Sequence, residues 1–319
     1  MAGGQERVLR RRIKSVQSTK KITRAMELIA ATRIVKAQQR VLAARPYADQ
    51  ITSVIRSLAS GGAGVGQPLL TPKASVKTNL YVVLAGDRGL AGGYNSGVIR
   101  LAERALLADV AEGRDYALVV VGKKAEDYFK FRKYKIALAF KGFTDSPSYE
   151  NARQIATAVS AMFESGDVDQ VDLSYTQFLS AGSQKPVLKR FMPIEMDLGN
   201  SEGGANASYE FEPDPNSILS SILPRYVESR LYAALLDAAA SEHAARQRAM
   251  KSATENAGEI IKKLSRDMNA ARQAAITTEI MEIVGGAEAL NDAGGATDLL
   301  ADRPSSSFDL FQARSAKNS

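Results

Sequence analysis

The chain has 319 residues, 45 % of them apolar, a net charge of +7 and no cysteine. The length fits one large domain or two small ones with a real core. The absence of cysteine excludes disulfides, thiol catalysis and cysteine metal sites, and fits a reducing compartment. No run approaches the roughly eighteen apolar residues of a membrane-spanning helix.

The N-terminus, "MAGGQERVLRRR", lacks the apolar middle of a secretory signal, which points to a cytoplasmic, bacterial-type protein. The charge is uneven. Residues 1–45 carry twelve lysines and arginines against Glu6 and Glu27 alone, while the remainder is slightly acidic. A basic helix at one end asks for an acidic counterpart: nucleic acid, a membrane surface or an acidic protein patch.

From about Gln5 to Leu58 the pattern predicts one helix, with no glycine and only Pro46 as a breaker. Leu9, Ile13, Val16, Met26, Leu28, Ile29, Val35 and Leu42 build its apolar stripe. Such a helix would be about 80 Å long. "GGAGVGQPLLTPKAS" follows as a flexible linker.

Next come "VKTNLYVVLAG" (76–86) and "DYALVVVG" (115–122), apolar runs suited to buried parallel strands, with "SGVIRLAERALLADVAEG" between them as a crossover helix. "KYKIALAF" predicts a third strand and "SYENARQIATAVSAMFESG" a further helix. "QVDLSYTQFLS" and "KPVLKRFMPIEM" alternate, as an edge pair around "AGSQ" would. This β-α-β alternation predicts a small doubly wound, Rossmann-like sheet. "LGNSEGGANAS" is a loose loop.

A second long helix begins near "EPDPNSILSSILPRY", where Asp214, Pro215 and Asn216 supply helix-start chemistry and Pro224 is a candidate kink. It is expected to stop at Gly285-Gly286. Met250, Ala253, Ala257, Ile260, Leu264, Met268, Ala271 and Ala275 are spaced close to the 3.5-residue repeat of a coiled coil. The expected fold class is therefore α/β: a long antiparallel coiled coil of the terminal helices with an inserted Rossmann-like domain. The expected divisions are 1–60, 61–212, 213–290 and a disordered tail at 291–319. The longer second helix should project at its tip, and an apolar tip needs a sleeve.

Few residues suggest chemistry. "DRGLAGGYNS" (87–96) stands where the first β-α turn of a nucleotide fold would stand. Gly86, Gly89, Gly92 and Gly93 match neither the dinucleotide fingerprint nor the phosphate loop, and no lysine follows. Asp87 would repel a phosphate, so the loop reads as a tight turn. His243 is expected to be a solvated helix residue, and the serines of "SAGSQ" have no histidine to activate them. Glu279 and Glu282 lack a third metal ligand. No catalytic residue, cofactor or metal is expected. The basic helix has no interleaved aromatic side chain, since Tyr47 is the first in the chain, so single-strand stacking is disfavoured.

Four stretches carry more than a pattern: "RRRIKSVQSTKKITRAMELIAATR", "DRGLAGGYNS", "SEHAARQRAMKSATENA" and "RQAAITTEIMEIVGGAEAL". Together they closely resemble the gamma subunits of F-type ATP synthases, in order, across residues 10–290. The resemblance implies the central shaft of a rotary motor, lying peripherally on the cytoplasmic face of the cell membrane. Its implied partners are the ring of alpha and beta subunits, the epsilon subunit and the membrane c-ring, with no nucleic acid and no membrane span. Carried over by position, Arg272, Gln273 and Thr277 contact a beta-subunit loop. Met26 in "TRAM" faces beta, with Lys20, Lys21 and Arg24 beside it. Tyr209 and Phe211 become candidates for the foot contacts. About 29 residues beyond "GAEAL" exceed the family pattern. The alternatives are a nucleic-acid-associated basic coiled-coil protein, marked by salt-dependent DNA binding, and a nucleotide-dependent enzyme, marked by stoichiometric nucleotide binding.

Overall fold

The computed structural model describes residues 2–60, 67–73, 75–194 and 214–294. Helix α1 (Ala2–Ser60) opens the chain and helix α5 (Pro215–Gly294) closes it. Between them run β1 (Thr78–Leu84), α2 (Tyr94–Ala111), β2 (Asp115–Val121), α3 (Lys123–Phe131), β3 (Leu138–Phe140), α4 (Tyr149–Glu164), β4 (Gln170–Phe178) and β5 (Gln184–Met192). The linker keeps one turn of 3-10 helix, Pro68–Leu70, with Leu69 buried. Contacts divide the chain into a unit of residues 18–258 and a second unit made of 1–17 with 259–319.

In the larger unit the strand order is β3-β2-β1-β4-β5. The first four are parallel, and β5 turns back antiparallel to β4. Strand alternation sends Leu80, Val82 and Leu84 to one face of the sheet and Tyr81 and Val83 to the other. Helices α2 and α3 cover the second face through Val98, Leu106, Ala125 and Phe129. The first face packs against α4 (Ile155, Val159), α1 (Ile51, Ile55, Leu58) and α5 (Leu219, Leu223, Val227, Leu231). The two long helices thus supply part of the sheet's own core.

The sequence expectation of α1's stripe needs correction. Leu28, Ile29, Val35 and Leu42 are exposed. The buried positions are Ile13, Thr23, Glu27, Ala30, Ile34, Ala37, Val41, Ile51, Ile55 and Leu58. Each of these lies on one of two seven-residue repeats, 13-27-34-41-55 and 23-30-37-51-58, so α1 carries a heptad seam. Alanine occupies two seam positions, Ala30 and Ala37. Ala37 and Val41 pack directly against Leu236 and Ala240 of α5.

Three further expectations change. Helix α5 passes through Gly285-Gly286 and continues to Gly294. A glycine inside a helix costs only about 1 kcal/mol, and the Ala-Glu-Ala-Leu that follows favours helix. Ile260 is exposed, whereas Ile261 is half-buried with Leu264, Met268, Ala271 and Ala275, giving a regular 3-4 alternation. Helix α3, "KKAEDYFKF", was not anticipated; its buried face consists of Ala125, Glu126 and Phe129. The loop at 198–208, and nearly all of the tail expected at 291–319, lie outside the described residues, apart from the last helical residues of α5.

Candidate functional site

In a doubly wound sheet a ligand occupies the crevice beyond the C-terminal strand ends, where the order switches direction. Here the switch falls between β1 and β4, and the glycine loop follows β1. Helix α5 fills that place. Ser241 Oγ donates to the Thr176 carbonyl of β4 at 3.1 Å. Glu242 packs against Gly86, where a Cβ would stand 2.9 Å from its carboxylate. Arg246 bonds Glu242 and reaches the Gly89 carbonyl at 3.4 Å.

Two polar side chains of the loop are engaged within the domain. Asn95 Oδ1 accepts from the Gly86 amide at 2.7 Å. The Asp87 carboxylate accepts from the amides of Lys123, Gly142 and Thr144 and from the Thr144 hydroxyl, at 2.9–3.1 Å. Asp87 therefore ties the β1, β2 and β3 ends together. Gly86 lets α5 dock closely on the end of β1.

Residues 238–244 of α5 are buried without interruption, four alanines among them. His243 belongs to this stretch and is 2 % exposed, which corrects the expectation of a solvated histidine. Burial, with Arg246 and Arg33 nearby, lowers its pKa, while its bond to the Asp145 carbonyl opposes the shift. Burial likewise raises the carboxyl pKa of Glu242, against the pull of Arg246. The Ala-rich run "AALLDAAASEHAAR" was the available signal for this all-round burial.

The basic part of α1 presents its charges outward. Lys20 and Lys21 are exposed, and Arg24 is an exposed partner of Glu27 at 2.8 Å. Lys20 occupies a seam position, opposite Gly258 of α5, where a Cβ would approach its ammonium to 3.3 Å. One residue row away, Thr254 Oγ1 donates to Thr23 Oγ1 at 2.8 Å, so this part of the seam is polar. Met26 is half-buried and lines a hollow with Ile29, Ala30, Arg88 and Leu90. The structure thus groups Lys20, Lys21, Arg24 and Met26 on successive turns and brings Arg88 and Leu90 of the glycine loop beside Met26, a neighbour sequence reasoning missed.

In the smaller unit, Arg272, Gln273 and Thr277 are exposed, and the Thr277 hydroxyl donates to the Gln273 carbonyl at 3.0 Å. Around them Ile276, Ile280, Met281, Ile283 and Val284 are also exposed. An apolar helical surface of that kind marks a contact region. Tyr209 and Phe211 lie outside the described residues. Glu279 and Glu282 are exposed, and no cluster of potential metal ligands occurs among the described residues. No described helix is long and apolar enough to cross a membrane.

These features define a class: two long terminal helices in heptad contact, carrying an α/β domain whose ligand crevice is filled by one of them. The comparisons with known proteins make the class specific. The family model described as ATP synthase matches residues 5–290. The ATP synthase gamma chain of Frankia casuarinae is 50 % identical over 293 residues, covering 90 % of this chain and 98 % of that one. That of Kineococcus radiotolerans is 50 % identical over 298 residues, covering 91 % and 98 %. Among solved structures, the central stalk/c-ring structure of the Tetrahymena thermophila mitochondrial ATP synthase contains a chain matching at TM-score 0.58 and 25 % identity, over 73 % of this chain and 99 % of that one. A chain of the Euglena gracilis mitochondrial ATP synthase matches in fold at TM-score 0.64 and 18 % identity, over 94 % and 99 %. The chain belongs to the ATP synthase gamma chain family.

Proposed function

We propose that this chain is the non-catalytic shaft that couples rotation to nucleotide turnover in a ring of alpha and beta subunits. The observation that carries the reading is that α1 buries a heptad face and presents a basic outer one, while α5 presents apolar side chains near its end. The α/β crevice is filled by α5, which supports assigning the bond chemistry to partner subunits. A two-helix shaft lacks threefold symmetry, so three equivalent catalytic subunits meet three different faces. Each face favours a different open or closed state, and rotation is thereby linked to nucleotide affinity.

In this reading Lys20, Lys21, Arg24 and Met26 face acidic segments of beta. Arg272, Gln273 and Thr277 bond a beta loop near the sleeve, and the α/β domain meets epsilon and the c-ring, with Tyr209 and Phe211 among the foot contacts. The assembly lies on the cytoplasmic face of the cell membrane, and this chain is a peripheral part of it. Purification through a tag on this chain tests the proposal. The expected result is one copy with three alpha and three beta subunits plus epsilon, and ATPase activity that the lone chain lacks. Recovery with nucleic acid instead of these subunits would overturn it.

A further inference from the structure

Helix α3 ends in "KFRKYK" (130–135), four cations and two aromatic rings in six residues. The two rings differ in their surroundings. Tyr134 is half-buried: its hydroxyl donates to Glu103 of α2 at 2.9 Å, and its ring meets those of Tyr116 and Phe129 edge-on. Phe131 is 85 % exposed, more than any other large apolar side chain among the described residues, and belongs to neither core of the sheet.

The cations divide as well. Lys130 pairs with Glu126 at 2.6 Å and Arg132 with Glu103 at 3.5 Å. Lys133 and Lys135 are exposed and make no ion pair among the described residues. The same holds for Arg100 and Arg104 on α2, of which Arg100 acts electrostatically on Tyr128 of α3. The exposed acids near the turn that also lack an ion pair are Asp127, one helical turn back, and Asp115, beside Tyr116. The balance of this surface is positive. Lys133 further stands in the left-handed region, at φ 61°. Its amide donates to the Lys130 carbonyl at 3.0 Å and the Tyr134 amide to the Phe129 carbonyl at 2.9 Å, a helix-ending turn in which glycine is the usual residue. A lysine held there despite backbone strain points to a use for its charge.

The turn's place in the domain indicates what it meets. The Lys135 amide donates to the Tyr116 hydroxyl at 3.4 Å and the Ala137 amide to the Leu118 carbonyl at 2.8 Å, so the turn lies toward the N-terminal ends of the parallel strands β1 and β2. The glycine loop and its neighbour Met26 lie at the C-terminal ends, about 20 Å away along the strands. In the shaft reading the Met26 end faces the catalytic ring, so the opposite end faces the membrane; the direction assigned to the turn rests on that reading.

We propose that the turn at 130–135 is a docking surface for the anionic headgroup layer of a lipid membrane. Phe131 enters the interface, as aromatic side chains do at headgroup level, while Lys133 and Lys135, with Arg100 and Arg104 on the flanking helix, meet the negative lipid charge. One ring and a few cations give a weak, salt-sensitive attachment that can break and re-form as the domain turns.

The complex of this chain with alpha, beta and epsilon subunits, free of the membrane sector, is the sample, because the basic face of α1 is then covered by beta and cannot bind lipid in place of the turn. Its co-sedimentation is measured with vesicles of phosphatidylcholine alone and of phosphatidylcholine with about one third phosphatidylglycerol. Binding is expected to the anionic vesicles only. It should weaken at least about tenfold in Lys133→Glu combined with Lys135→Glu, and about threefold in Phe131→Ser. Lys133→Gly relieves the left-handed turn and so keeps the fold, and it should also weaken binding about threefold. Equal binding to both vesicle types, or binding indifferent to these substitutions, would overturn the proposal. So would no binding to anionic vesicles, the result expected if the turn serves an acidic protein instead. Failure to recover the complex would count against the shaft reading, and the same vesicle comparison on the full chain would then decide about the turn.

Discussion

The carboxylate of Glu242 lies against the Cα of Gly86, so near that a methyl group on Gly86 would stand 2.9 Å from it. Glu242 cannot swing aside freely, because it is 1 % exposed and bonded to Arg246. This contact joins the long helix to the switch point of the sheet. Gly86→Ala is expected to destabilise the chain by about 1–3 kcal/mol through overpacking. Removing the carboxylate tests the cause. In a Glu242→Ala background the added cost of Gly86→Ala should vanish, which a double-mutant cycle of thermal unfolding would read. Full additivity would show that the two residues are not coupled.

The seam register gives a sharper test in the smaller unit. Ile261 is half-buried and Ile260 is 48 % exposed, although both are isoleucine in the same helix turn. Ile261→Ala should lower stability by about 1–2 kcal/mol, below the range for full burial, while Ile260→Ala should stay within about 0.5 kcal/mol. Circular dichroism melts of the two variants check this. Equal losses would contradict the register.

Asp237 of α5 predicts a pH dependence. Burial raises its carboxyl pKa from 3.8 to about 6, opposed by Arg45 of α1, the Phe178 amide and Lys189 of β5; Tyr175 of β4 also faces it. The folded state therefore holds this proton more tightly than the unfolded chain does. Its contribution to stability is full below about pH 4 and is lost as pH rises through about 6. Asp237→Asn should stabilise the protein by about 2 kcal/mol at pH 8 relative to its effect at pH 4, allowing for residual solvent contact. Unfolding curves at the two pH values measure it, and an effect of the same size at both would refute the assignment.

Met26 borders the hollow shared with Arg88 and Leu90. Met26→Lys should place an added charge against an acidic beta segment. ATP hydrolysis is expected to persist while proton pumping per ATP falls. Parallel ATPase and fluorescence-quenching assays on membrane vesicles would test this, and an unchanged ratio would count against the contact.

The succession of strands along the chain and the two long helices could be read from apolar runs and helical spacing. The details that failed share a physical origin. On α1 the large side chains drew attention, yet Leu28 and Leu42 face outward while Ala30 and Ala37 face inward. Close helix approach favours small residues, so size misleads in such a seam. Helix α3 escaped notice because "KKAEDYFKF" is short and mostly polar. His243 looked solvated because its neighbours in sequence are charged, but in three dimensions α5 is enclosed there by α1 and the α/β domain. That the glycine loop makes a turn from strand to helix was legible in its glycine spacing. That α5 itself fills the crevice was not, since that contact joins residues more than 150 positions apart.

The most direct test of the central claim is to watch the chain turn. It contains no cysteine, so Asp127→Cys on the exposed face of α3 gives a unique attachment point for a bead. With the alpha/beta ring fixed to a surface, the shaft reading predicts unidirectional rotation of the bead that begins with ATP and stops when ATP is removed. Steady ATP hydrolysis with a bead that shows only Brownian motion would contradict it.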